Sequence, residues 1–335
     1  MTIEEHAPLA AHTTFRLGGP AQLLITCTAA DELSAAVAVA RERGLELYPL
    51  GGGSNILAAD DAIGKAIIRL VADSISFEEE GERALAIADA GTDWNTFVDA
   101  TAARGLWGLE NLAGIPGSVG AAPVQNIGAY GAEVADTLEW VEAFDLRDGT
   151  STRFTRDDCG FAYRDSRFKR ERTHFITKVA FALRADGAPN LSYPDVAKAA
   201  TEATLATPAD VANAVRAIRS QKFPDLAVCG TAGSFFKNPT ISADAYAVLK
   251  KTYSELPGFS NGEGVKVSLA WILDRALNLR GHAHGNARLF EKQPLVLVAE
   301  AGATARDVDA LANDVAARVH AATGISIERE VQSLS

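Results

Sequence analysis

The apolar positions of the chain switch repeatedly between a strand period and a helix period. Residues 21–27, AQLLITC, form a short apolar run that predicts a strand. Residues 28–44 change to helical spacing. Leu33, Ala36, Val37 and Ala40 make one stripe, Thr28 and Asp31 stand at capping-box spacing, and Gly44 ends the run. LELYPL then predicts a short strand that feeds GGGSN at 51–55, and KAIIRLV and RALAIADAG predict two further strands. Residues 92–105 predict a helix with Trp94, Phe97, Val98 and Ala102 facing inward. This strand–helix–strand opening indicates an α/β or α+β domain.

The middle of the chain breaks the pattern. Residues 105–132 are crowded with Gly, Ala and Pro and carry few charges, which excludes a long regular helix. Asp148-Gly149, set between two β-rich runs, predicts a hairpin, and FITKVAFAL at 175–183 predicts another strand. The polar, Ala-rich stretch 185–206 reads as a boundary or an inserted loop. A helix follows, with Thr207 as cap, Pro208 at the first helical position and Asp210 completing the box. Helices near 242–253 and 266–280 come next, then a strand at PLVLVAE. A long helix at 304–323 sends Val308, Leu311, Val315 and Val319 inward and stops at Gly324. The alternation of ISIEREVQ predicts a final strand, with Ile325, Ile327 and Val331 on one face and Glu328 and Glu330 on the other.

Composition narrows the functional classes. The 335 residues are 47% hydrophobic and 22% charged, enough apolar material for two or three domains. A net charge of -11 argues against nucleic acid or an anionic membrane as partner, since both require a basic surface. Three widely spaced cysteines show no metal or disulfide spacing and fit a reducing compartment. The N-terminus lacks the apolar region of a secretory signal, and no run approaches the length of a membrane span. A cytoplasmic protein without a metal site is expected.

Several stretches carry candidate chemistry. In LGGGSNIL three glycines permit positive φ and close backbone approach to phosphate oxygens, yet the spacing is neither a P-loop nor a dinucleotide fingerprint. A plain glycine turn and an anion-binding loop both remain open. Residues 114–131, GIPGSVGAAPVQNIGAYG, offer a long backbone nearly stripped of bulk, suited to an extended ligand. Arg164, Arg167 and Lys169 form either a solvated face or a carboxylate- or phosphate-binding group. Arg219 and Lys222 share a helix face near its C-terminus, where helix-dipole and anion-binding roles weigh equally. Tyr193 stands in an otherwise polar loop. In CGTAGSFFKNP an extended reading puts Ser234, Phe236 and Asn238 on one face and Phe235 and Lys237 on the other.

Taken in order, TTFRLGGPA, LGGGSN, GLENLAGIPGSVGAAPVQNIGAYG, YRDSRFK, AGSFFKNP and the terminal EREV resemble the UDP-N-acetylenolpyruvoylglucosamine reductase (MurB) family from about Thr13 to Val331. LSYPD resembles the type I form, with a tyrosine on an extra loop over the substrate. Some members carry an acidic residue at the middle of the glycine triplet, where this chain has Gly52. The resemblance implies an α+β fold: an FAD-binding fold of the vanillyl-alcohol-oxidase/PCMH type plus a C-terminal α+β substrate-binding domain. The expected divisions are an FAD-binding region at 1–205 (subdomains about 1–70 and 71–205), a substrate domain at 206–325 and a terminal strand at 326–335 that returns to the active site.

The implied activity is an NADPH-dependent, FAD-mediated reduction of UDP-N-acetylglucosamine enolpyruvate to UDP-N-acetylmuramate in peptidoglycan synthesis. By resemblance Ser234 gives a proton to C2, while Arg164 and Glu330 stabilise the charge that develops there. Tyr193, Arg219, Lys222, Asn238 and Gln293 match substrate-binding positions. FAD, held without a covalent bond, falls to Gly51, Gly52, Gly53, Ser54 and Asn55 and to Gly114, Ile115, Pro116, Gly117, Gly120, Ala121, Gln125, Asn126, Gly128, Ala129 and Tyr130. A monomer with only small-molecule partners is expected. The rival readings are another flavin oxidase, which would lack AGSFFKNP with EREV, and a nucleotide-sugar binding module, which would not need Arg164, Ser234 and Glu330 together.

Overall fold

Strand pairing organises the N-terminal half into two sheets. In the first, the order is Thr2–Pro8, Pro20–Cys27, Ile63–Leu70 and Glu46–Pro49, the last two parallel, with helix Leu33–Glu42 between Pro20–Cys27 and Glu46–Pro49 along the chain. The second is antiparallel, in the order Ser151–Thr155, Leu138–Asp145, His174–Arg184, Arg83–Asp89 and Ile75–Glu80. The structure is a computed structural model and describes residues 1–262 and 264–335. The chain forms two compact units. The first comprises 1–7, 21–53 and 64–220; the second comprises 8–20, 54–63 and 221–335.

Helix Trp94–Ala103 anchors the core of the first unit. Asp93 caps it by accepting from Thr96 N–H, and Trp94, Phe97, Val98 and Ala102 are buried. Trp94, Phe97 and Phe181 meet as an aromatic triangle with centroids 5.4 to 6.2 Å apart. The indole N–H of Trp94 donates to the carbonyl of Leu112 at 3.0 Å, which fixes the start of the Gly-rich middle segment.

The second unit has its own core, built from Phe15, Phe235, Phe236, Leu256, Leu269, Ile272, Leu273 and the buried face of helix Ala305–Thr323. That helix carries a reciprocal box between Thr304 and Asp307 and ends at Gly324 with φ +70°. Two three-stranded sheets are present, Thr240–Ile241, Val265–Val267, Gly258–Ser260 and Ala283–His284, Ala287–Leu289, Leu297–Ala299. Gln332–Leu334 pairs in parallel with Ile56–Ala58.

Five local expectations are corrected. Thr28 does not form a box with Asp31; its N–H and hydroxyl both reach Glu32, a turn further on, and the helix begins at Leu33. Residues 185–206 include helix Pro194–Glu202, whose single buried residue, Val196, leaves almost no apolar stripe to read. The helix placed at 266–280 is only a turn, Leu269–Trp271, continued by a wider turn at Ile272–Ala276 and preceded by strand Val265–Val267. Leu269, Ile272 and Leu273 are buried at helical spacing, which explains the misreading. Strand Thr2–Pro8 escapes the sequence pattern because only Ala7 is buried. The terminal ladder occupies Gln332–Leu334 rather than the whole of 325–332, although Ile325 and Val331 are buried and Glu328 is exposed.

Candidate active site

In the first unit the glycine triplet and the segment 117–121 approach so closely that side chains are excluded. A Cβ on Gly51 would stand 2.9 Å from Ser118 Oγ and from Ala121 Cβ, and one on Gly52 would stand 2.9 Å from Gly117 Cα. Gly120 packs on Ala90, where a Cβ would come within 2.4 Å of the alanine Cβ. Gly51 and Gly52 face solvent, and Gly53, at φ +62°, is buried. Among the described residues no protein acceptor takes the N–H of Gly51, Gly52 or Gly53. A glycine backbone with available donors and no side-chain bulk fits the pyrophosphate of a flavin nucleotide.

The rest of the 114–131 block is held by Arg219 and Asn126 together with Asn95, which the sequence reading did not single out. Asn95 brackets its start, accepting from Gly114 N–H at 2.6 Å and donating to the Ile115 carbonyl at 3.0 Å. Arg219 Nε donates to the Gly114 carbonyl at 3.0 Å, and burial lowers its guanidinium pKa. Pro116 and Gly117, at φ +137°, lead into the turn Val119–Ala121. Asn126 is fully buried at φ +47°; its amide donates to the Ala162 carbonyl and accepts from Ala135 N–H. Gln125 is half-buried in the preceding turn, while Gly128 and Ala129 pair with Ala132 and Glu133. The signal for Asn95 was weak, because one polar residue beside a buried Trp on a helix looks like a surface position.

Of the basic residues at 164–169, Arg164 reaches the 114–131 block. It lies at φ +55°, donates through Nη2 to the Gly128 carbonyl at 2.5 Å, and its own carbonyl accepts from Lys169 Nζ at 3.0 Å. Arg167 turns to Glu171 and the Asp158 carbonyl. The buried Ser166 hydroxyl donates to the Val124 carbonyl at 2.5 Å and so binds this loop to the block. Tyr193 immediately precedes helix Pro194–Glu202, is 39% exposed, and packs edge-on to Tyr130 with centroids 5.1 Å apart.

In the second unit Ser234 lies on an extended segment between two others. It bridges to Val296 on one side, and Phe235 N–H donates to the Leu295 carbonyl at 2.8 Å. On the other side Phe236 bridges to Arg329, and Glu330 N–H donates to the Phe235 carbonyl at 2.8 Å. Phe235 and Phe236 are both buried, so each of the two faces read from the alternation of this segment carries a buried phenylalanine. Neighbours press on both sides of it, and each phenylalanine finds a core.

Gly233, at φ +76°, donates its N–H to Thr231 Oγ1, which itself donates to the Leu297 carbonyl; this sets the entry of the chain to Ser234. Gln293 closes the adjoining turn by accepting from Val296 N–H, and Asn238 Oδ1 accepts from Leu269 N–H at 3.0 Å. Asn55 fixes the terminal segment: its side chain donates to the Glu330 carbonyl at 3.2 Å and its own carbonyl accepts from Gln332 N–H. Ser54 and Lys222 are half-buried and belong to this unit. Thus Ser234, Glu330, Asn55, Gln293 and Asn238 share the second unit, and Arg164, Tyr193, Arg219 and the glycine cradle share the first. Among the described residues no cluster of three or more His, Cys, Asp or Glu is arranged to hold a metal.

The glycine backbone of the first unit, suited to the pyrophosphate of a flavin nucleotide, points to the class of flavin-dependent oxidoreductases. The comparisons agree. A family described as "FAD binding domain" matches residues 21–155, and "UDP-N-acetylenolpyruvoylglucosamine reductase, C-terminal domain" matches 224–334. A UDP-N-acetylenolpyruvoylglucosamine reductase of Pseudomonas aeruginosa is 38% identical, covering 98% of both chains. One from Burkholderia orbicola is 41% identical over 96% of this chain and 94% of its own. The crystal structure of the reductase from Thermus caldophilus is 26% identical and covers all of both chains with a TM-score of 0.72. The chain belongs to the UDP-N-acetylenolpyruvoylglucosamine reductase family, and its α+β fold joins an FAD-binding domain to that family's C-terminal domain.

Proposed function

We propose that the protein reduces UDP-N-acetylglucosamine enolpyruvate to UDP-N-acetylmuramate at the expense of NADPH, a step of peptidoglycan precursor synthesis. The observation that carries the reading is the pinning of Glu330 beside Ser234, through the bond from Glu330 N–H to the carbonyl of the residue that follows the serine. When bound, FAD would supply the two-electron hydride chemistry that links NADPH to C3 of the enolpyruvyl group. The cradle at Gly51–Gly53 and 117–121 holds its pyrophosphate, with Ser54, Asn55 and the rest of the 114–131 block as further contacts.

Addition of hydride at C3 leaves negative charge at C2, shared with the carboxylate as an enolate. Arg164 and Glu330 stabilise that charge as it forms. Ser234 then delivers the proton to C2 and completes the saturated ether. A serine hydroxyl is a weak acid, so the step requires a fixed position and rapid re-protonation, for which Lys222 is the proposed partner. The rigid mounting of Ser234 between Leu295–Val296 and Arg329–Glu330 supports the positional half of this requirement. Tyr193, Arg219, Lys222, Asn238 and Gln293 are assigned to the nucleotide sugar, and the protein is assigned to act as a monomer.

The test begins with the purified protein, which should be yellow and should oxidise NADPH beyond one equivalent of its flavin only when the enolpyruvyl nucleotide is supplied. A folded, colourless protein that does not take up added FAD refutes the reading.

A further inference from the structure

The loop that carries Tyr193 is tied down by one buried amide. Asn111 is 2% exposed, and its Nδ2 donates to two carbonyls from separate segments, Tyr130 at 2.8 Å and Asn190 at 2.9 Å. Its Oδ1 is buried and has no hydrogen-bond partner among the described residues. The amide orientation is therefore set by its donors: turned over, it would set an oxygen against two carbonyl oxygens. No residue of similar size supplies the same pair of donors. Aspartate has the shape without the N–H groups, and leucine has neither.

Asn190 extends the tie. Its Nδ2 donates to the Gly131 carbonyl at 3.0 Å, and its Oδ1 accepts from both the N–H and the hydroxyl of Ser192, at 3.1 and 2.7 Å. Ser192 in turn sits so close to Gly131 that a Cβ there would come within 2.3 Å of its Oγ. These bonds fasten 190–192 to Tyr130 and Gly131, both at positive φ, and bring the Tyr193 ring edge-on to Tyr130. Tyr193 is left 39% exposed, with part of its ring available to a ligand.

We infer that Asn111 is a positioning residue for the nucleotide sugar, holding the 190–193 loop docked on Tyr130 so that Tyr193 is placed before substrate binds. The inference rests on the assignment of Tyr193 to the substrate. An enzyme whose binding-competent loop is populated only part of the time shows an apparent affinity reduced by that fraction. Loss of the amide raises KM for the nucleotide sugar and leaves the NADPH half-reaction alone.

The experiment uses Asn111→Ala holoenzyme, with retained flavin absorbance as the control for folding. KM for UDP-N-acetylglucosamine enolpyruvate should rise about tenfold, as when the docked fraction falls to about a tenth. Flavin reduction by NADPH should stay within about twofold. In a Tyr193→Ala background the same substitution should add no further rise, because it acts through that tyrosine. An unchanged KM, or a full additional rise without Tyr193, overturns the inference. If Asn111→Ala does not retain FAD, Asn190→Ala cuts the tie at the exposed loop instead and is read by the same two criteria. A wild-type enzyme whose reduced flavin ignores the nucleotide sugar refutes the functional reading and is seen before any variant is made.

Discussion

Gly120 shows how tightly single residues shape the cradle. Its N–H donates to the Ala90 carbonyl at 3.0 Å, and a Cβ would lie 2.4 Å from one Ala90 carbon and 3.0 Å from another. Gly120→Ala must push two backbones apart, at about 1–3 kcal/mol. The variant should melt at lower temperature and lose FAD on gel filtration, as read by the ratio of flavin to protein absorbance; full retention of both would contradict the cradle. The glycine requirement was visible in the sequence as a run of small residues. The partners were not: Ala90 and Asn95 come from distant segments with no motif of their own, Ser166 sits in YRDSRFK with no sign of its target, and only folding brings them to 114–124. Arg164, Arg167 and Lys169 looked alike in sequence; their separate destinations are set by a backbone at positive φ, which three neighbouring cations do not disclose.

Among elements, those with strong end signals were legible. Helix Pro208–Lys222 begins as expected, with Thr207 and Asp210 exchanging bonds. The hairpin at Asp148-Gly149 also forms, with Gly149 at φ +80°. Helix Pro194–Glu202 and strand Thr2–Pro8 were hidden because each buries one side chain, too few for a period. The same hairpin carries a pH-dependent contact. The Arg147 guanidinium beside the largely buried Asp145 side chain lowers that carboxyl from 3.8 to about 2. A carboxyl with a depressed native pKa adds stability above its unfolded value and loses it as pH falls through the native value. Asp145→Asn should lower the urea midpoint near pH 6, reflecting a stability loss on the order of 1 kcal/mol after solvent screening. The two midpoints should converge between pH 4 and pH 2; a gap that persists at pH 2 would contradict the assignment.

At the scale of the whole molecule, the first 63 residues enter the second unit twice, at 8–20 and again at 54–63. The segment TTFRL, far from the C-terminal half in sequence, belongs to its core: Phe15 packs edge-on to Phe235 at 6.3 Å, and a Cβ on Gly230 would strike the Phe15 carbonyl. Such interleaving changes no local composition, so the hydrophobic pattern does not reveal it. The ordered motifs did reveal the family, to which relatives at 38 and 41% identity also assign the chain. No helix among the described residues is long and apolar enough to cross a membrane.

The central claim is that Ser234 supplies the proton to substrate carbon and takes no part in loading the flavin. Rapid mixing of Ser234→Ala separates the two half-reactions. Reduction of the flavin by NADPH should proceed within a few-fold of the wild-type rate, and reoxidation by the enolpyruvyl nucleotide should slow by about 10²–10⁴-fold. Equal losses in both halves, or a reoxidation rate that does not fall, would contradict the account.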